Sequence, residues 1–361
     1  MKKDKKVLLD LERLRYPYSG IANVFRNLAL GFNKLKSEIE LDISLYGPLN
    51  ELQSLDTQFK IVNHKSIHKV MFFFTAGYSI LHSSHQLSSY FNYKRKWQKK
   101  IVTLHDLNFL REDFSENKKN QTYKIVKKNI SNADVIVCIS NFTKKDLLLN
   151  DNLFRYKTKP EIIVIHNGLK FPELKEYPLG RFSFLKEKKY ILNIGVLFFK
   201  KNQILLVKML PFIDEDLVLV VSGEKEDYKN EMLSEIKRLN LTNRVHIISN
   251  IPEDEKWALI QNATSMCHPS LAEGFGIPPI EAMYFGKPVF LSNLTSLPEI
   301  GGEVAYYFDS FEIAAMVTVY RQGMNEYNSD KVNQVIKLNS WALNYDYEKM
   351  AKKYLELYKR L

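Results

Sequence analysis

With 361 residues, 45% hydrophobic and 26% charged, the chain has an ordinary globular composition and the length for two domains, each with its own core. No stretch reaches the roughly 18 uninterrupted apolar residues of a membrane-spanning helix, so none is expected in this chain. The formal charge of +11 calls for an anionic neighbour: a phosphorylated substrate, an acidic membrane surface or a nucleic acid.

At the start, Lys2, Lys3, Lys5 and Lys6 precede only a short apolar run, Val7 to Leu11, too short for a signal peptide. Cys138 and Cys267 lie in apolar, strand-like contexts without metal or disulfide spacing. They read as core residues of a reducing compartment, so a cytoplasmic protein is expected. Val7 to Leu11 reads as a buried first strand. The turn formers Tyr16-Pro17-Tyr18-Ser19-Gly20 follow, and then Ile21, Val24, Phe25 and Leu28 recur at helical spacing. Such a unit puts the helix start at the carboxyl edge of a sheet, where ligands of open α/β folds bind. Gly20 alone, without a full G-x-G-x-x-G, suits a structural turn as well as a ligand loop.

Leu41 to Tyr46 and Phe59 to Val62 continue as strands, and Val70 to Phe74 is a further apolar run. Leu81 to Gln86 and Ile101 to Leu107 each place polar residues after an apolar run, which brings His82, His85 and His105 to strand ends. His105 with Asp106 is the better candidate for chemistry; a histidine capping a strand end is the bland alternative. The stretch Tyr90 to Lys100 interleaves aromatic and basic residues. A solvated face, a nucleic-acid contact or an anionic membrane contact all produce that pattern; the preceding apolar segment, Met71 to Tyr78, favours the membrane. Ala133 to Ile139 is a strand followed by a helix that Ser140 or Asn141 would cap. Glu161 to Ile165 is one more strand, ending in His166-Asn167-Gly168. From Leu169 to Lys189 the periodicity stops among Pro172, Pro178 and Gly180, the pattern of a linker.

A second strand-turn-helix series starts at Tyr190. Gly195 closes its first strand, and Lys200 and Lys201 sit where the next helix begins. A helix dipole disfavours a lysine there, which points to an anionic ligand such as a phosphate. Asp216 to Gly223, Val245 to Ile248, Ala263 to His268 and Lys287 to Ser292 continue the strands. Two sequential α/β halves fit this order better than one large sheet. Within the second half, Glu273-Gly274-Phe275-Gly276-Ile277-Pro278-Pro279-Ile280-Glu281 sets two carboxylates around a Gly-Phe-Gly turn and a Pro-Pro pair. Two glycines, two prolines and no solubilising charge suit a ligand-facing loop better than a surface loop. The pattern predicts a helix beginning near Pro279 with Glu281 in its first turn, and N–H groups before it that could receive a diphosphate.

The ordered set Ser19-Gly20-Ile21, Thr103 to Leu107, Ile139-Ser140-Asn141, His166-Asn167-Gly168, Gly195 to Asn202, Val221-Ser222-Gly223 and Glu273 to Glu281 resembles family 4 retaining glycosyltransferases over nearly the whole chain. Leu297-Pro298-Glu299-Ile300 and the glycines after it add to the specific part. The resemblance implies a GT-B architecture: two Rossmann-like domains facing a central cleft, and a C-terminal helix, Trp341 to Leu361, crossing back to the first. Residues 1–170 with about 345–361 would bind the acceptor, and residues 171–344 the nucleotide sugar. By the same resemblance Glu273 contacts the donor sugar, Glu281 the ribose and Lys201 the diphosphate, where charge develops on the leaving group. His105 would lie near the reacting sugar, with Gly20, Ser140, Gly195, Gly274, Phe275 and Gly276 in the donor site. Val196 stands where the family usually has arginine, leaving Lys200 as the candidate second positive charge.

The implied reaction moves a sugar from a nucleoside diphosphate sugar, GDP-mannose or a UDP- or dTDP-sugar, to a hydroxyl of a glycan or lipid-linked acceptor. It proceeds with retention, without metal or resident cofactor, in bacterial surface polysaccharide synthesis. The place expected is the cytoplasm or the inner face of the plasma membrane. Glu273 and Glu281 as the acid and nucleophile of a glycosidase are set aside, because Glu281 is bound into a helix start and the α/β units suit a nucleotide. A sugar-nucleotide 2-epimerase would share the fold. A nucleic-acid binder is disfavoured, because basic residues outside Tyr90 to Lys100 are dispersed among acids.

Overall fold

The computed structural model describes residues 5–16, 19–111 and 115–361. The chain divides into two compact units, Met1–Lys170 with Tyr345–Leu361, and Phe171–Asn344. The first contains strands β1 (Lys6–Asp10), β2 (Asp42–Gly47), β3 (Lys60–Asn63), β4 (Ile80–Ser83), β5 (Lys99–Leu104), β6 (Val135–Cys138) and β7 (Glu161–Val164). Helices α1 (Gly20–Lys34), α2 (Leu49–Gln53), α3 (Glu116–Ser131) and α4 (Asn141–Leu149) alternate with them. The sheet is parallel, in the order β3-β2-β1-β4-β5-β6-β7. Its central strands are short apolar runs buried on both faces, such as Val135–Cys138, as a covered parallel sheet requires.

The run Val70 to Phe74 joins no strand. Phe73–Thr75 forms one 3-10 turn, in which Phe74 stacks on His68 at 4.2 Å while Phe73 stays 76% exposed. The stretch 90–100 is not a single solvated face either. Tyr90 and Phe91 are buried in a cluster with Leu8, Tyr46 and Leu81, and the buried Lys100 Nζ donates to Asn129 Oδ1 at 2.9 Å. Gln98 is also buried, which leaves Tyr93, Lys96, Trp97 and Lys99 outside.

The second unit contains β8 (Tyr190–Leu197), β9 (Asp216–Glu224), β10 (Val245–Ser249), β11 (Ser265–His268), β12 (Val289–Ser292) and β13 (Tyr306–Phe308). Its helices are α5 (Ile204–Met209), α6 (Glu226–Arg238), α7 (Glu253–Asn262), α8 (Ile277–Tyr284), α9 (Leu297–Gly301), α10 (Ile313–Ser329) and α11 (Lys331–Ala342). This sheet is also parallel, ordered β10-β9-β8-β11-β12-β13, over a core that includes Leu206, Leu217, Leu219, Cys267, Phe290 and Tyr320. The expected linker is not free: Phe182 and Leu185 are buried, the Tyr177 N–H donates to Gln261 Oε1 at 2.9 Å, and Tyr284 donates to the Pro172 carbonyl at 2.8 Å. Side chains far along the chain satisfy a segment that has no period of its own.

The last helix, α12 (Tyr347–Arg360), belongs to the first unit. It does not start at Trp341. That residue lies in the last turn of α11, and its indole N–H donates to the Ile300 carbonyl at 2.7 Å. A short turn over Leu343–Tyr345 follows, and Asp346 then caps the new helix by accepting from Glu348 N at 2.7 Å. Met350, Ala351, Tyr354, Leu355 and Tyr358 form its buried stripe. It lies so close to α1 that a Cβ on Gly31 would stand 2.7 Å from Ala351 Cβ.

Candidate functional site

The order of the second sheet reverses between β8 and β11. In open α/β sheets ligands bind beyond the carboxyl ends of the strands at such a reversal, and β11 ends there in His268. The loop that follows is tightly held. Glu273 N donates to Thr295 Oγ1 at 3.0 Å, and Ser296 Oγ donates to the carbonyls of Glu273 at 3.1 Å and Phe275 at 2.8 Å. Gly276 caps α8 at φ +115°, where an L side chain is strained, and a Cβ there would stand 2.9 Å from Leu297 Cδ2. Phe275 is 4% exposed; its ring belongs to the packing, so only its backbone is open to a donor-site role.

Glu273 is the centre of the site. Its Oε1 accepts from Lys201 Nζ and, at 2.7 Å, from His268 Nε2. Burial raises the carboxyl's pKa, but the Lys201 and His268 charges outweigh it and hold Glu273 well below the usual carboxylate range. The result is a carboxylate kept ionised at any physiological pH. With Nε2 donating to Glu273, His268 leaves Nδ1 buried without a protein partner among the described residues.

Lys201 comes from the turn after β8. Asn202 then adopts a left-handed conformation, φ +58° and ψ 26°, which redirects the chain into α5. Gly195 lies in β8 beside a register break with β9, and a Cβ there would meet only Lys201 Cε, at 3.9 Å. Among the described residues nothing demands glycine at this position, which leaves room in front of it for a ligand. Val196 is 36% exposed, and its carbonyl accepts from Gln203 Nε2 at 2.9 Å. Lys200 is half-buried, with its ammonium 5.4 Å from the centre of the Phe198 ring, while its carbonyl accepts from Leu271 N at 2.7 Å.

The position of Glu281 differs from the expected first turn. The helix starts at Ile277, two residues early, which moves Glu281 to the second turn. The cause is Gly276, whose left-handed conformation begins the helix ahead of both prolines. Pro278 and Pro279 also carry no N–H, so any anion at this end relies on the backbone of Gly274 to Ile277. Glu281 is 8% exposed and accepts from Lys256 Nζ at 2.8 Å. Lys256 in turn lies 3.8 Å from the Trp257 ring centre.

In the first unit His105 follows β5 and is buried. Its Nε2 donates to the Ser84 carbonyl at 2.8 Å, its backbone N–H donates to Gln86 Oε1 at 3.2 Å, and its ring lies 5.4 Å from that of His85. Burial lowers its pKa to about 4, so the ring is neutral at physiological pH and acts through hydrogen bonding rather than charge. His85 Nδ1 accepts from Leu87 N at 3.1 Å and lies 3.4 Å from Arg13 Nη2. His82 is structural: it is sealed beneath α12, bonded to the Tyr358 hydroxyl at 2.6 Å and to Thr103 Oγ1 at 2.8 Å. Of the two capping candidates, Ser140 caps α4, accepting from Thr143 N at 3.0 Å. Gly20 is exposed at the start of α1, where Ser19 supplies the cap by accepting from Ala22 N at 3.2 Å.

Two members of the second unit's site carried no role in the sequence reading. His268 had the same signal as His105, a histidine closing a buried strand. Lys256 had none, because its partner lies 25 residues away.

The parallel α/β units, with the carboxyl-edge site of the second, define a class of fold. Solved structures share it over almost the whole chain. Anabaena Alr3699/HepE in complex with UDP superposes with a TM-score of 0.71 at 16% identity, covering 99% of this chain and 100% of that one. The fold is GT-B. Residues 180–336, nearly all of the second unit, match the family described as glycosyl transferases group 1. Among curated relatives, the phosphatidylinositol N-acetylglucosaminyltransferase GPI3 subunit of Saccharomyces cerevisiae is 24% identical over 243 residues, 65% of this chain and 52% of that protein. The O-antigen chain mannosyltransferase B of Escherichia coli is 22% identical over 273 residues, 69% of this chain and 71% of the relative. The chain thus spans about half the length of the yeast relative.

Proposed function

We propose that this protein is a retaining, metal-independent glycosyltransferase. It moves a sugar from a nucleoside diphosphate sugar to a hydroxyl of a glycan or lipid-linked acceptor in bacterial surface polysaccharide synthesis. The observation that carries the reading is Glu273, held ionised between Lys201 and His268 at the carboxyl edge where the second sheet reverses. A fixed carboxylate there accepts hydrogen bonds from sugar hydroxyls, and the lysine beside it exchanges that partner for a diphosphate oxygen. Lys201, with Lys200, then stabilises the charge that develops on the departing nucleoside diphosphate. Glu281, on the neighbouring helix, takes the ribose hydroxyls. The second unit binds the donor and the first the acceptor, where neutral His105 contributes a hydrogen bond near the reacting sugar. The proton leaving the acceptor hydroxyl passes to a donor phosphate oxygen, so no protein base is required.

The likeness to a protein solved with UDP and to one named an O-antigen mannosyltransferase supports a nucleotide-sugar donor, with GDP-mannose and UDP- or dTDP-sugars as the candidates. Incubation with each donor and a polyprenyl-diphosphate-linked sugar, with EDTA present, should give one glycosylated product whose new linkage keeps the donor's anomeric configuration by NMR. An inverted linkage would overturn retention. Loss of turnover in EDTA would overturn metal independence. Conversion of the donor to its C2 epimer without acceptor would replace transfer by epimerisation.

A further inference from the structure

Between Thr57 and His105 the chain carries seven lysines and one arginine and no aspartate or glutamate. In the fold Lys94 and Lys99 pair with Asp134 and Lys100 is buried, which leaves Lys65, Lys69 and Lys96 as exposed lysines of this part of the first unit. The same stretch holds the densest run of exposed apolar side chains. Ile67 is 50% exposed, Val70 69%, Met71 44% and Phe73 76%, all in the connection between β3 and β4, and Tyr93 at 49% and Trp97 at 56% sit in the connection before β5. The two connections form one surface. The Phe72 and Tyr93 rings lie 5.5 Å apart, Gln98 Nε2 donates to the carbonyls of Thr75 at 2.7 Å and Tyr78 at 2.8 Å, and Arg95 reaches Thr75 Oγ1 at 3.3 Å. Lys65, Lys69 and Lys96 are exposed among these apolar groups.

Beneath the patch, packing explains why neighbouring residues are apolar but not why these are. Phe74 stacks on Tyr46 and His68, and Phe91 is buried, whereas Phe73 and Trp97 contribute little to that core. A contiguous exposed apolar patch marks an interaction site. Aromatic and aliphatic tips interspersed with lysines, with Asp134 engaged by Lys94 and Lys99 at the margin, match one partner chemistry in particular: an apolar layer beneath a negatively charged headgroup plane. A nucleic acid would select basic residues without the aliphatic tips of Ile67, Val70 and Met71. No helix among the described residues is long and apolar enough to cross a membrane, so such contact would be made from the surface.

We propose that the face formed by residues 65–73 and 93–97 docks on an anionic lipid bilayer, with Phe73, Val70 and Trp97 entering the interface and Lys65, Lys69 and Lys96 meeting the headgroups. The inference deepens the proposed transfer to a lipid-linked acceptor and rests on it for its purpose. Its test uses no sugar donor, so the two can fail separately.

Full-length protein is sedimented with vesicles of phosphatidylcholine, with and without phosphatidylglycerol, at low and high salt. Binding is expected only with phosphatidylglycerol, with a blue shift of Trp97 emission. The Phe73→Asp/Trp97→Asp variant should bind at least about tenfold more weakly. Each of Lys65→Glu and Lys69→Glu should cost roughly fivefold or more, an effect that salt reduces. All four positions are exposed, and unchanged melting temperatures would confirm intact folds. The proposal is overturned if wild type ignores anionic vesicles or if the double variant binds them equally well. It is also overturned if the patch variants lose RNA binding or self-association while vesicle binding is unchanged.

Discussion

Lys201 and Glu273 form a mostly buried pair, with side chains 17% and 12% exposed, and His268 adds a second hydrogen bond to the same oxygen. In the unliganded protein Glu273 therefore competes with any diphosphate for Lys201. Two substitutions should then act in opposite directions on nucleotide binding. Lys201→Met removes a charge-assisted hydrogen bond worth about 1.5–3 kcal/mol, which at 1.4 kcal/mol per decade weakens nucleoside diphosphate binding about 10- to 100-fold. Glu273→Gln keeps the side chain's shape but releases Lys201, so binding of UDP or GDP without sugar should hold or tighten by up to about tenfold, by the same arithmetic. Turnover of the sugar donor should still fall by about 100-fold or more, because the sugar loses its anionic acceptor. Isothermal calorimetry with UDP and GDP measures the first effects, and donor consumption the last. If Glu273→Gln weakens the bare nucleotide as much as Lys201→Met does, the competition argument is wrong.

Other substitutions probe the scaffold. Gly276→Ala places a Cβ at φ +115° and 2.9 Å from Leu297 Cδ2, and should cost about 1–3 kcal/mol in chemical denaturation together with donor affinity; wild-type stability would contradict the loop's tight packing. Tyr358→Phe strands His82 Nδ1 beneath α12 and should cost about 1–3 kcal/mol, against less than about 0.5 kcal/mol for an ordinary surface change. His268→Ala removes a bond that holds Glu273; if the histidine positions that carboxylate, kcat should fall more than KM rises, and Asn or Gln should restore part of it.

Acid should destabilise the first unit. Burial lowers His82 to about 3 and His105 to about 4 from 6.5, so between pH 6.5 and 4 the unfolded chain takes up protons that the folded one does not, and stability falls as pH falls. Asp10, raised by burial from 3.8 to about 6, opposes this between those two values, but as one group against three, because burial also holds His85 well below its ordinary value. A melting temperature that does not drop between pH 7.5 and 5 would contradict the balance.

Much of this was legible in the sequence because it follows from local rules. Buried parallel strands read as short apolar runs, and the Glu273 to Glu281 loop announces itself through glycine and proline. Gly276 also shows where local reading stops: a left-handed glycine can open a helix before the prolines, so Glu281 moved by a turn. The remaining differences come from contacts between residues far apart in the chain. Nothing near Lys256 points to Glu281, nothing near His82 points to Tyr358, and the aperiodic segment from Leu169 to Lys189 is held by residues as distant as Gln261 and Tyr284. Trp341 fits the apolar spacing of the final helix yet belongs to the second unit, where its indole bonds to Ile300. The aromatic-basic stretch Tyr90 to Lys100 has one composition but two environments, which only the fold separates.

The central claim is that a nucleoside diphosphate sugar is bound and cleaved at Glu273 and Lys201. Its most direct test is nucleoside diphosphate release from GDP-mannose, UDP-glucose, UDP-N-acetylglucosamine and dTDP-rhamnose by the purified chain, beside Glu273→Ala and Lys201→Ala. One donor should raise the wild-type melting temperature and release its nucleoside diphosphate, and both variants should fold normally without releasing it. No response to any nucleotide, or release that persists in either variant, would contradict the assignment.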